Sequence, residues 1–107
     1  KKIKFGVIAL GEESIKRHFE YIRKLNLSSY YVGEVSINMD VNEAVNGENT
    51  MMLIYNASKN LIQNEKAEAI ILGCAGMAKY RESLEKKLGV RVLDPVQTSV
   101  DCAIMNL

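Results

Sequence analysis

The sequence predicts a doubly wound α/β domain: a four-stranded parallel sheet of order 2-1-3-4 with helices on both faces. Three observations lead there. Apolar runs of strand length alternate with amphipathic stretches of helical period, in the order βαβαβαβα. The run Ala69-Ile70-Ile71-Leu72 has no polar position, as a parallel strand covered on both faces requires. No repeat, low-complexity tract or linker interrupts the 107 residues, a length suited to one core, so residues 1–107 read as one domain.

Each element has a local reason. Ile3–Leu10 is a mostly apolar strand that Gly11 breaks. Glu12-Glu13-Ser14 then opens a helix, its acidic first turn complementing the helix dipole. Ile15, Phe19 and Ile22, with His18, form one stripe of that helix, and Asn26 stops it. Tyr30–Ile37 is a second strand, rich in β-branched and aromatic residues. Asn38–Asn49 is polar, contains Gly47 and reads as a loop. A helix over Thr50–Lys66 buries Leu53, Ile54, Ala57, Leu61 and Ile62. Ala67–Gly73 is the central strand. Met77–Leu88 is a helix with Met77, Tyr80, Leu84 and Leu88 on one face and Gly89 just past its end. Val90–Leu93 is a short fourth strand, Asp94-Pro95 ends it, and Val96–Leu107 is a final helix.

Composition narrows the function. Hydrophobic residues make up 48% and charged residues 25%, both ordinary for a globular domain. The net charge is +1 without a basic block, which argues against a nucleic-acid partner. No apolar run reaches membrane-spanning length and no secretory signal is visible. Two widely separated cysteines fit neither a CxxC nor a zinc spacing, so no metal is expected and a reducing, cytoplasmic setting fits best. There is no GxGxxG or GxxxxGK[ST] sequence to bind a nucleotide. The chain starts with lysine and enters a strand almost at once, as a piece of a longer chain would.

The chemistry concentrates in Gly73-Cys74-Ala75-Gly76-Met77. It sits at the carboxyl end of the central strand and the start of a helix, where open α/β sheets gather ligands. A buried cysteine is commonly no more than a small hydrophobe. At a glycine-flanked strand end, a helix dipole and free backbone N–H groups can hold the thiol as thiolate. Cys74 is therefore the expected catalytic residue. Gly73 and Gly76 let backbone approach a ligand, and the N–H groups of Ala75, Gly76 and Met77 can bond a developing enolate. Leu10 at the first strand end, and Pro95 and Thr98 after the fourth strand, complete the expected substrate contacts. Thr98 and Ser99 serve equally well as caps of the final helix, and Asp94 as a turn residue.

The other reactive side chains read as structural. Cys102 lies inside the last helix, His18 sits mid-helix beside an apolar stripe, and Met51-Met52 fill core. Glu12-Glu13 resemble the acidic pocket of receiver domains, but those end the third strand in aspartate, where this chain has Cys74.

The run Ala67 to Met77, followed by Gly89-Val90-Arg91-Val92-Leu93-Asp94-Pro95-Val96, closely resembles the second cysteine motif of hydantoin and allantoin racemases. These belong to the aspartate/glutamate/hydantoin racemase superfamily. The resemblance covers the whole chain but about half of the family's usual length. It implies two similar α/β halves facing across a cleft, each giving one cysteine, with proton removal on one face of the stereocentre and proton return on the other, without metal or cofactor. Cys74 matches the cysteine of the second half; the first motif is absent. Family members of the hydantoin type have threonine or serine where the first strand ends, and this chain has Ala9, Leu10 and Gly11.

The resulting expectation is half of a cofactor-independent racemase acting next to a carbonyl of a hydantoin, allantoin or amino-acid substrate. Its partners are a small molecule, the missing N-terminal half and, in oligomers, further copies of itself; alone it is expected to be inactive. A final helix apolar on two sides (Val96, Val100, Ala103, Ile104 and Leu107 against Cys102 and Met105) favours such association. The alternatives are a related isomerase or decarboxylase using the same cysteine, and a non-catalytic flavodoxin-like binding module.

Overall fold

The computed structural model describes residues 3–24, 26–47, 49–73 and 75–93. It has one four-stranded sheet of order β2-β1-β3-β4, with every pairing parallel, as the alternation of elements predicts. The two central strands are β1 (Phe5–Ala9) and β3 (Ala69–Leu72), buried at every position. Their side chains alternate between two layers. Ile8, Ile70 and Leu72 face one side; Phe5, Val7, Ala69 and Ile71 face the other. This two-sided burial is why both runs are apolar throughout.

Helix α1 (Glu12–Lys24) covers the second side with Ile22; Leu27, just past its end, packs there too. Acidic residues occupy its first turn and Arg23 and Lys24 its last, and Asn26 ends it at φ +61°. Phe19, expected on the buried stripe, is largely exposed and leans its ring on Tyr31 at 6.0 Å.

Strand β2 (Tyr31–Ser36) carries a bulge. Phe5 pairs with Tyr31 but Gly6 pairs with Gly33, so Val32 is the extra residue. Without it Tyr31 and Glu34 would point to opposite faces. With it both turn towards α1, while Val32 and Val35 join the other layer.

The expected loop Asn38–Asn49 contains a helix, α2 (Val41–Asn46). Asp40 accepts from the Glu43 N–H at 2.8 Å and Glu43 accepts from the Asp40 N–H at 3.2 Å. This reciprocal capping box starts a helix in a stretch whose polarity favours a loop. Ala44 is fully buried on it.

Helix α3 (Thr50–Glu65) ends at Lys66 in a left-handed conformation. Its buried stripe is Thr50, Ile54, Ala57, Ser58 and Leu61. Leu53, expected there, is 38% exposed, and Thr50 is buried because its hydroxyl donates to the Glu43 carbonyl, tying α3 to α2. After β3 the chain forms a 3₁₀ helix over Ala75–Tyr80, and α4 (Arg81–Leu88) starts only after it. The predicted single helix from Met77 is thus two pieces. Gly76 weakens α-helical propagation, and α4 opens without a side-chain cap. Gly89 closes α4 at φ +71°, as predicted. Strand β4 (Arg91–Leu93) completes the sheet beside β3. The predicted helix Val96–Leu107 lies outside the described residues. None of the described helices is long and apolar enough to cross a membrane.

Candidate functional site

Parallel pairing brings the carboxyl ends of the strands to one edge. The Gly73 N–H donates to the Ile8 carbonyl at 2.8 Å, the Ile37 N–H to Ala9 at 2.9 Å, and the Met39 N–H to Leu10 at 2.8 Å. Leu10 and Gly73 thereby end adjacent strands. An open cleft of about 680 Å³ lies on this edge, between Leu10–Ser14 and Asn38–Asp40. Three carboxylate residues, Glu12, Glu13 and Asp40, line it with Ser14 and Asn38. The Ser36 hydroxyl donates to the Leu10 carbonyl at 3.2 Å.

Cys74, Pro95 and Thr98 lie outside the described residues. Of the remaining expected contacts, Leu10 lines the cleft. Ala75 and Gly76 open the 3₁₀ helix. The side chain of Met77 does not line it: it is fully buried with Ile8, Ile70 and Leu84, which leaves Met77 only its backbone for a ligand. The six-residue 3₁₀ helix also changes the electrostatics expected there. The helix N-terminus next to Cys74 in sequence is that of the 3₁₀ helix at Ala75, and α4 begins only at Arg81.

One group was not legible as part of the site. His18 Nδ1 lies 2.5 Å from Glu34 Oε2, and the Tyr31 hydroxyl donates to Glu34 Oε1 at 3.0 Å. The Glu34 side chain is 1% exposed, so both carboxylate oxygens are satisfied inside the protein. Burial, and then the adjacent carboxylate, push the Tyr31 phenol far above its usual pKa, so it stays a donor. The imidazole meets the strand end: a Cβ added at Gly73 would come within 2.7 Å of His18 Cε1 and 2.8 Å of the Ile8 carbonyl oxygen. Gly73 is required by close approach on two sides. His18 is satisfied, as expected, but it stands at the end of β3 and not remote from the strand ends. The available signal was Glu34, the one charge in a mostly apolar strand and preceded by glycine, the sequence mark of a bulge. Beside the ring, a smaller apolar recess of about 170 Å³ is lined by Phe5, Val7, Tyr21, Ile22 and Ile71. Among the described residues no cluster of three His, Cys, Asp or Glu is arranged to hold a metal ion.

In parallel α/β sheets, ligands commonly bind at the carboxyl-end edge of the strands, where this cleft lies. The sequence pattern of the Asp/Glu/Hydantoin racemase family matches residues 1–103, and the chain belongs to that family. It is similar to a hydantoin racemase of Pseudomonas sp. (strain NS671), 36% identical over 81 residues, 76% of this chain and 30% of that protein. It is also similar to a hydantoin racemase of Paenarthrobacter aurescens, 46% identical over 43 residues, 40% of this chain and 18% of that protein. Among solved structures, an allantoin racemase from Klebsiella pneumoniae superposes over 98% of this chain and 43% of its own, with a TM-score of 0.84 and 18% identity. An allantoin racemase from Pseudomonas fluorescens covers 97% of this chain and 44% of its own, with a TM-score of 0.80 and 25% identity. The chain thus spans less than half the length of each of these relatives.

Proposed function

We propose that this chain is the second half of a cofactor-independent racemase and that Cys74 is its acid/base. The reading is carried by the family match together with the position of Cys74 in the sequence, directly after the tightly packed Gly73 at the end of β3. Racemisation next to a carbonyl needs a base for a weakly acidic C–H and an acid on the opposite face. A thiol suits both roles because its pKa lies within about two units of neutrality. Cys74 would take or return the proton on one face, with the backbone N–H groups of Ala75, Gly76 and Met77 available to an enolate oxygen. A group from the first half would serve the other face.

The lining of the cleft bears on the substrate. Glu12, Glu13 and Asp40, lining it at the end of the strand beside β3, add negative charge that a dicarboxylate would meet, which favours a neutral ring such as a hydantoin. The ring carbonyls also make that C–H more acidic, so less enolate stabilisation is asked of the protein.

One half supplies one face. The isolated 107-residue chain is therefore expected to leave an optically pure 5-substituted hydantoin unracemised in polarimetry, while a complex with the complementary half racemises it. Turnover by the monomeric chain at an ordinary enzymatic rate would contradict the two-half reading.

A further inference from the structure

We infer that His18, held by Glu34, is a positioning residue for the strand-end turn from which Cys74 departs. The inference rests on the assignment of Cys74 as acid/base but concerns residues that assignment does not use. Four observations converge on it. The bulge at Val32 turns Glu34 from the α3 layer to the α1 layer, towards His18. Both Glu34 oxygens are then occupied, one by Nδ1 of His18 and one by the Tyr31 hydroxyl, so the carboxylate is fixed from two sides. The ring it holds lies against Gly73, its Cε1 within 2.7 Å of where a Cβ would stand, and the Gly73 N–H donates to the Ile8 carbonyl at 2.8 Å. Finally, burying a carboxylate is costly unless its partners are in place, so this arrangement is not expected as mere filler.

The role follows from the geometry. Gly73 is gripped between β1 and an imidazole, and the next residue in the chain is Cys74. A ring fixed by a buried carboxylate sets the direction in which the chain leaves β3, and the Tyr31–Glu34–His18 chain acts as one unit.

The test uses the 107-residue chain and the ratio of initial iodoacetamide alkylation rates at Cys74 and Cys102, read by peptide mass spectrometry at neutral pH, with melting temperature measured alongside. H18A and E34A are each expected to lower the ratio about tenfold, to near one, because a thiol's reactivity follows its local surroundings and exposure. The double variant should lose no more than either alone, because the two residues work through one contact. E34Q, which keeps the hydrogen bond to the ring, should restore the ratio to within about twofold of the parent. H18N keeps a donor near the Nδ1 position without the ring edge and should match H18A; it serves if H18A fails to fold. A fall in melting temperature with an unchanged ratio would overturn the inference, as would additive losses or an E34Q as impaired as E34A. A parent chain whose ratio is near one would instead remove the Cys74 assignment beneath it.

Discussion

Replacing Cys74 with serine, in a protein that carries this segment together with its opposing half, is expected to cut racemisation by roughly 10²–10⁴-fold, the usual contribution of one general acid–base group. Serine differs from cysteine by one atom, so the melting temperature should stay close to that of the parent. The chemical difference is large. A hydroxyl is far less acidic than a thiol and is almost never the ionised form at neutral pH, so it can neither accept the substrate proton nor hold it for return. Loss should appear in kcat more than in KM, because the proton transfer occurs in the transition state. A serine variant with near-parental turnover would show that Cys74 is a small hydrophobe.

The second large effect concerns stability. Leu61 on α3 is fully buried and lies against β1 at Gly6, where an added Cβ would meet its Cδ1 at 2.8 Å and its Cβ and Cγ at 3.2 Å. Leu61→Ala is expected to cost about 2–5 kcal/mol through lost burial and the cavity left behind. In a domain of this size that lowers the melting temperature by roughly 10 °C or more. Gly6→Ala overpacks the same contact and should cost about 1–3 kcal/mol. Because the new methyl group occupies part of the space Leu61 vacates, the double variant should be more stable than the sum of the two losses predicts. Strict additivity in urea or thermal unfolding would mean that helix and strand do not meet as described.

How much of this was legible in the sequence depended on the kind of signal. Sheet order and parallel pairing were legible because β1 and β3 are apolar at every position and alternate with amphipathic helices. Helix α2 was missed because composition outweighed a four-residue pattern: Asp40-Val41-Asn42-Glu43 is a capping box, but it stands among asparagines. On α3, Ile54, Ala57 and Leu61 were read correctly, but Leu53 was named and Thr50 was not, because Leu53 is the more hydrophobic and the bond from the Thr50 hydroxyl to the Glu43 carbonyl is tertiary. The Met77 side chain was placed on the buried face of its helix and is fully buried, since an apolar stripe shared with Tyr80, Leu84 and Leu88 is a strong signal. His18 was legible as a satisfied histidine. Its nearness to Gly73 was not, because that depends on where α1 crosses the sheet and on a one-residue bulge in β2.

The central claim is that Cys74 is the reactive thiol of one catalytic face. It is tested most directly by following iodoacetamide alkylation of Cys74 and Cys102 in the same chain as a function of pH. The predicted result is that Cys74 reacts about tenfold faster than Cys102 at pH 7, with a midpoint below the ordinary thiol value of about 8.5. Equal rates at the two cysteines, with an unshifted midpoint at Cys74, would contradict it.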